Sequence, residues 1–104
     1  MRRGSIGPLE TIPLTTQLAE ELGVSTDRGA VVARMSRSGS AYQAGMRPGD
    51  VIVSFNGKAI EDPGQFLRML SDTPIGGTVT IGVLRGGGRE DLKVRVTQPE
   101  PRRR

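Results

Sequence analysis

Apolar positions recur along this chain in two rhythms, and their punctuation sets the elements. Leu14, Leu18 and Leu22 stand four apart, one stripe of a short helix with Thr15 as N-cap and Gly23 as a left-handed stop. Ser40–Gly45 holds one or two further helical turns, read as capped by Ser40 and closed by Gly45. Asp62–Ser71 predicts a third helix: Asp62 is the N-cap and Pro63 the first helical residue, where its missing N–H costs nothing. Gln65, three residues on, is placed to reach back to the Asp62 N–H. In that helix Phe66 and Met69 are expected to enter the core, while Leu67 and Leu70 share an adjacent face.

The other rhythm has period two. Thr78–Arg85 and Arg89–Thr97 alternate apolar with polar (Val79, Ile81, Val83; Leu92, Val94, Val96), joined through Gly86-Gly87-Gly88 as a hairpin. Ala30–Met35, Val51–Phe55 and the brief Lys58–Ile60 are shorter strands, and Ser5–Glu10 reads as an opening one. The predicted order is β, α, β, α, β, β, α, β, β. With no βαβ repeat and no long amphipathic helix, the class is mainly β with two to three short helices plugging a partly open antiparallel barrel or sandwich. One domain over residues 3–97 is expected, followed by a disordered Pro/Arg tail over 98–104.

Composition narrows the chemistry. The 104 residues contain no histidine, no cysteine and no tryptophan. That excludes a Ser-His-Asp triad, a cysteine nucleophile, a disulfide framework and the usual zinc sites. A Ser-Lys hydrolase finds no Ser-x-x-Lys spacing around Lys58 or Lys93, which read as solvent-facing. Neither cofactor nor metal is called for. The net charge of +4 falls to +1 once Arg102, Arg103 and Arg104 are set aside, and the body carries only Tyr42, Phe55 and Phe66 as aromatics. A nucleic-acid binder needs basic and stacking residues on the folded body, so no nucleic-acid partner is expected. No apolar run approaches the ~20 residues that span a bilayer, and no hydrophobic run follows Met1–Arg3, so neither a membrane span nor a signal peptide is expected in this chain. Gly86-Gly87-Gly88 leads into a strand rather than a helix, which makes it a turn and not a phosphate cradle.

The segment Ser38-Gly39-Ser40-Ala41-Tyr42-Gln43-Ala44-Gly45-Met46-Arg47-Pro48-Gly49-Asp50-Val51-Ile52 is physically a short helix, a glycine stop and a tight turn into a buried strand. As a string it closely resembles the S-x-A-x-x-A-G-[LM]-x-x-G-D-x-I signature of bacterial-type PDZ domains. Val53-Ser54-Phe55-Asn56-Gly57-Lys58-Ala59-Ile60 continues the match. The opening Arg3-Gly4-Ser5-Ile6-Gly7, then Leu14-Thr15, Leu18-Ala19 and Gly23-Val24, is similar to the PDZ domains of HtrA/Deg-type serine proteases, as are Pro74-Ile75-Gly76 and Thr78-Val79-Thr80-Ile81. The resemblance runs from about Arg3 to Val96.

It implies the PDZ fold in its permuted bacterial topology, and a peptide-binding module in which a ligand strand adds to the sheet between one strand and one helix. Carried over by position, the carboxylate loop is Ser5-Ile6-Gly7-Pro8, with Arg3 as a flanking charge. The pairing strand is Pro8-Leu9-Glu10, and the Pro63–Ser71 helix supplies Leu67 and Leu70 to the groove. On their own, Ile6 and Leu9 read as buried strand positions. Pro8 departs from the family, which has an aliphatic residue there. Proline lacks an N–H, and one lost hydrogen bond to a charged acceptor costs roughly 1.5–3 kcal/mol, about ten- to a hundredfold in affinity. Either Arg3 compensates, or the domain prefers internal or unfolded segments.

The expected partners are therefore peptide or protein C-termini, unfolded segments and an attached trypsin-like protease domain absent from this chain; the chain itself is not expected to be an enzyme. The isolated domain is expected to be monomeric. The resemblance places the parent protein in the bacterial cell envelope. The alternatives are a PDZ domain of another membrane-associated protease or secretion component, a self-contained hydrolase, or an arginine-tail nucleic-acid binder.

Overall fold

The computed structural model describes residues 5–7, 9–26, 28–86 and 88–97. Arg3 and Pro8 of the expected site, and the terminal segment 98–104, lie outside the described residues. Nine elements follow in the predicted order: β1 (Leu9–Pro13), α1 (Thr16–Leu22), β2 (Ala30–Met35), α2 (Ser40–Gln43), β3 (Val51–Phe55), β4 (Lys58–Ala59), α3 (Pro63–Ser71), β5 (Thr78–Arg85) and β6 (Gly88–Arg95).

The strands form one antiparallel six-stranded sheet in the order β1-β2-β3-β5-β6, with β4 pairing β3 off that path. The sheet is open, with β1 and β6 as its edges. Among the described residues, Ser5 ahead of β1 bridges Thr97 just past β6. Adjacent residues of a strand point to opposite faces, and β2 and β3 use both. Val32 and Ile52 enter the main core with Phe55, Ile60, Phe66, Leu70, Ile81, Val83, Leu92 and Val94. Val31 and Val51 face the other way into a second cluster, covered by α1 through Leu18, Ala19 and Leu22 and by Leu14 just ahead of it. The Phe55 and Phe66 rings meet edge to face, 6.1 Å between centroids, and fix α3 over β3.

Caps explain the helices, with three differences from expectation. Thr15 Oγ1 accepts from Leu18 N at 3.1 Å and Gly23 closes α1 at φ 74°. Asp62 Oδ1 accepts from Gln65 N at 2.8 Å. Gln65 reaches one residue further back than expected: its Oε1 accepts from Glu61 N and its Nε2 donates to Ala59 O. Ser40 is not the cap of α2. Gly39 holds that place without a side-chain bond, and Ser40 Oγ instead donates to Arg95 O at 2.6 Å, stitching α2 to β6. The first strand runs Leu9–Pro13 rather than Ser5–Glu10, because Gly7 at φ +105° breaks the extended chain and leaves Ser5 as an isolated bridge.

Candidate functional site

The turn between α2 and β3 gives the fold its rigid corner. Asp50 is buried and accepts from Arg47 N (2.9 Å) and from Arg85 Nε and Nη2 (2.8 and 2.7 Å). Arg85 Nη2 also donates to Gly45 O, so one guanidinium ties the 45–50 turn to the end of β5. Those bonds to Asp50 raise the Arg85 pKa above its ordinary value, against the opposing effect of burial. Arg47 stacks on the Tyr42 ring at 3.8 Å and donates to the Tyr42 and Met46 carbonyls, closing α2.

Against the start of α2 rests the loop at residues 5–7. Ser5 exchanges two backbone bonds with Thr97, 2.8 Å from Ser5 N and 2.7 Å to Ser5 O. Ile6 is 1% exposed, a member of the main core, and its carbonyl accepts from Ala41 N at 2.9 Å. Gly7 N donates to Ser5 Oγ at 3.1 Å. The Ile6 N–H has no partner among the described residues. Among the described residues the loop therefore holds one amide without a partner and one engaged by a neutral hydroxyl.

From the loop the chain enters β1, which among the described residues is an edge strand paired with β2 on one side. Leu9 stands opposite Met35 and Glu10 opposite Arg34, after which a bulge shifts the register. These four residues and Ser36 line a shallow cavity of about 420 Å³. α3 packs against both β1 and β2. Its two expected groove residues part company. Leu67 is 50% exposed, but Leu70 is 7% exposed and belongs to the main core with Ile6 and Phe66, while Met69 packs against that core half-buried. The spacing 66 and 70, one helical turn, is the buried stripe, so Phe66 enters the core as expected and Leu70 joins it, while Leu67 stands exposed on the neighbouring face. Leu67 is the exposed large apolar side chain of α3, and Leu70 packs into the core.

The structure thus brings Ser5, Ile6 and Gly7 to the start of the first strand, which carries Leu9 and Glu10 and has α3 packed against it. Arg34, Met35 and Ser36 were missed by sequence reasoning, because only the β1–β2 register puts them beside Leu9 and Glu10. Gly39 and Ala41 were quoted in the signature without a role; the signal that they touch the loop is tertiary. Among the described residues no group of His, Cys, Asp or Glu could hold a metal ion.

The comparisons with known proteins agree with this geometry. The family model of the PDZ domain matches residues 15–96. The chain is 34% identical over 98 residues to the periplasmic serine endoprotease DegP of Escherichia coli K12, covering 94% of this chain and 20% of that protein. It is 33% identical over 101 residues to a probable periplasmic DegP-like serine endoprotease of Bartonella henselae, covering 96% of this chain and 20% of that protein. The chain thus spans about a fifth of these relatives' length. Among solved structures, the HtrA-type protease AlgW with a decapeptide superposes at a TM-score of 0.84 with 35% identity, over 97% of this chain and 31% of that one. The HtrA3 PDZ domain bound to a phage-derived ligand shares the fold at 0.79 with 18% identity, over 94% and 88% of the two chains. The chain belongs to the PDZ domain family, a non-catalytic fold, and its relatives are DegP- and HtrA-type serine proteases.

Proposed function

We propose that this chain is the peptide-binding module of an HtrA/Deg-type serine protease of the bacterial envelope. It takes C-terminal or unfolded peptide segments as an added strand on β1 and delivers them to, or regulates, a protease domain. The observation that carries this reading is the open edge of β1, which follows an anchored glycine loop and has α3 packed beside it. Unpaired main-chain groups on such an edge supply affinity, and the side-chain surface beside them supplies selectivity.

A terminal carboxylate would meet the Ile6 N–H directly. It would also draw the Gly7 N–H from Ser5 Oγ, since a charge-assisted bond is roughly twice as strong as a neutral one. Leu67 on α3 and the cavity of Leu9, Glu10, Arg34, Met35 and Ser36 on the β1–β2 side would flank the ligand side chains. The envelope location rests on the periplasmic relatives.

Panning a random library displayed at free C-termini, with the selected sequences resynthesised as acids and amides, tests this. Enrichment of sequences with a common apolar terminal residue, binding better as acids, is the expected result. A library that yields no enriched binders, or acids and amides of equal affinity, refutes carboxylate recognition.

A further inference from the structure

The loop at residues 5–7 is aimed from outside its own segment. A carbonyl and the next N–H share one rigid peptide plane and point in opposite directions. Thr97 N holds the Ser5 carbonyl, so it also sets the direction of the Ile6 N–H. Ala41 N holds the Ile6 carbonyl, so it sets the direction of the Gly7 N–H. Both amides that the proposed function assigns to the ligand carboxylate are therefore oriented by bonds made on their far side.

Between these anchors the backbones of Gly7 and Gly39 lie in direct contact. A Cβ added at Gly39 would stand 2.9 Å from Gly7 Cα and 2.9 Å from the Ile6 carbonyl oxygen, closer than Cβ atoms approach backbone. A rotating side chain cannot relieve that contact, because both atoms are main chain. Gly39 has φ −78° and ψ 156°, a conformation open to every residue. Its glycine is therefore required by the approach of the loop and not by the turn.

We propose that Gly39 is a positioning residue for the carboxylate grip: its bare Cα lets the loop seat on α2, where the Ala41 bond aims the Gly7 N–H. This rests on the carboxylate reading of the loop. In Gly39→Ala the loop must lift from α2, which lengthens the Ala41–Ile6 bond and turns the 6–7 peptide plane.

The test is a titration of a fluorescein-labelled decapeptide selected as a free acid, and of its C-terminal amide, against the wild type, Gly39→Ala and the control Ser38→Ala. Ser38 lies in the same turn but bonds only to Ser36 among the described residues. The expected result is an acid preference of about tenfold or more in wild type and Ser38→Ala, falling to about threefold or less in Gly39→Ala, with amide affinity within about twofold throughout. A folded Gly39→Ala that keeps the wild-type preference overturns the proposal. Should Gly39→Ala fail to fold, an amide-to-ester exchange at Ala41 removes the same N–H without adding bulk. Loss of acid preference then supports the proposal, and its retention overturns it. A wild type that binds acid and amide equally removes the carboxylate reading and this inference together; a wild type that prefers the acid beside a Gly39→Ala that keeps that preference removes the inference alone.

Discussion

Removing Arg85 should cost the domain more than neutralising its partner Asp50, and the structure sets the asymmetry. The Asp50 side chain is 2% exposed and that of Arg85 is 40% exposed. In Arg85→Leu the carboxylate stays buried with only Arg47 N as donor, and the Gly45 carbonyl loses its guanidinium as well. Stranding a buried charge in this way costs roughly 3–5 kcal/mol. Asp50→Asn keeps the shape and leaves Arg85 free to turn toward water, so the loss is that of charge-assisted bonds, roughly 1.5–3 kcal/mol. For a domain of this size each kcal/mol moves Tm by about 4–8 °C, so Arg85→Leu should melt at least about 12 °C lower, well below Asp50→Asn. The raised Arg85 pKa makes its contribution fully present below the unfolded guanidinium value and lost only as pH rises past it. The guanidinium does not titrate near neutrality, and a single pH of 7 suffices. Urea and thermal denaturation followed by circular dichroism measure both variants. Equal losses, or a larger loss for Asp50→Asn, would refute the argument that burial of the carboxylate governs the pair.

Other substitutions separate fold from binding. Leu67→Glu places a charge on an exposed wall, so peptide affinity should fall about tenfold or more with Tm nearly unchanged; calorimetric titration showing no loss would move the groove away from α3. Leu70→Ala should instead cost about 2–5 kcal/mol of stability in denaturant melts, as a core truncation does. Asp62→Ala should cost roughly 0.5–2 kcal/mol through the lost Gln65 N–H acceptor, and an unchanged melt would contradict the cap. Pro8→Ile restores an N–H to the loop sequence, so free-acid peptides should gain up to about tenfold per 1.4 kcal/mol and amides much less; equal gains would refute the missing donor.

The element order was readable because ends are chemically marked. Thr15 and Gly23, and Asp62 with Pro63, announce their helices through local bonds that need no tertiary context. What needs tertiary context is phase. Leu67 and Leu70 stand three apart on α3, yet the contact of Phe66 with Phe55 rotates the helix so that Leu70 goes inward and Leu67 outward. Ser40 is a good N-cap by type, but β6 offered its hydroxyl the Arg95 carbonyl and the cap fell to Gly39. Likewise Ser5–Glu10 has strand-like residues, and the positive φ of Gly7 divides it. The roles of the loop, the first strand and α3 in a binding site were assigned by resemblance. The anchoring of the loop through Thr97, Gly39 and Ala41 joins segments distant in sequence and leaves no local pattern.

The central claim is that a peptide adds to the open edge of β1 with its terminus at the 5–7 loop. Titrating the ¹⁵N-labelled domain with a selected free-acid decapeptide, while recording amide shifts and amide exchange, tests it directly. The account predicts the largest shifts at Ile6, Gly7 and residues 9–12, smaller ones along α3, and slowed exchange at β1 amides. Shifts concentrated on β6, the other edge of the sheet, or on the α1 cluster, with β1 exchange unchanged, would contradict it.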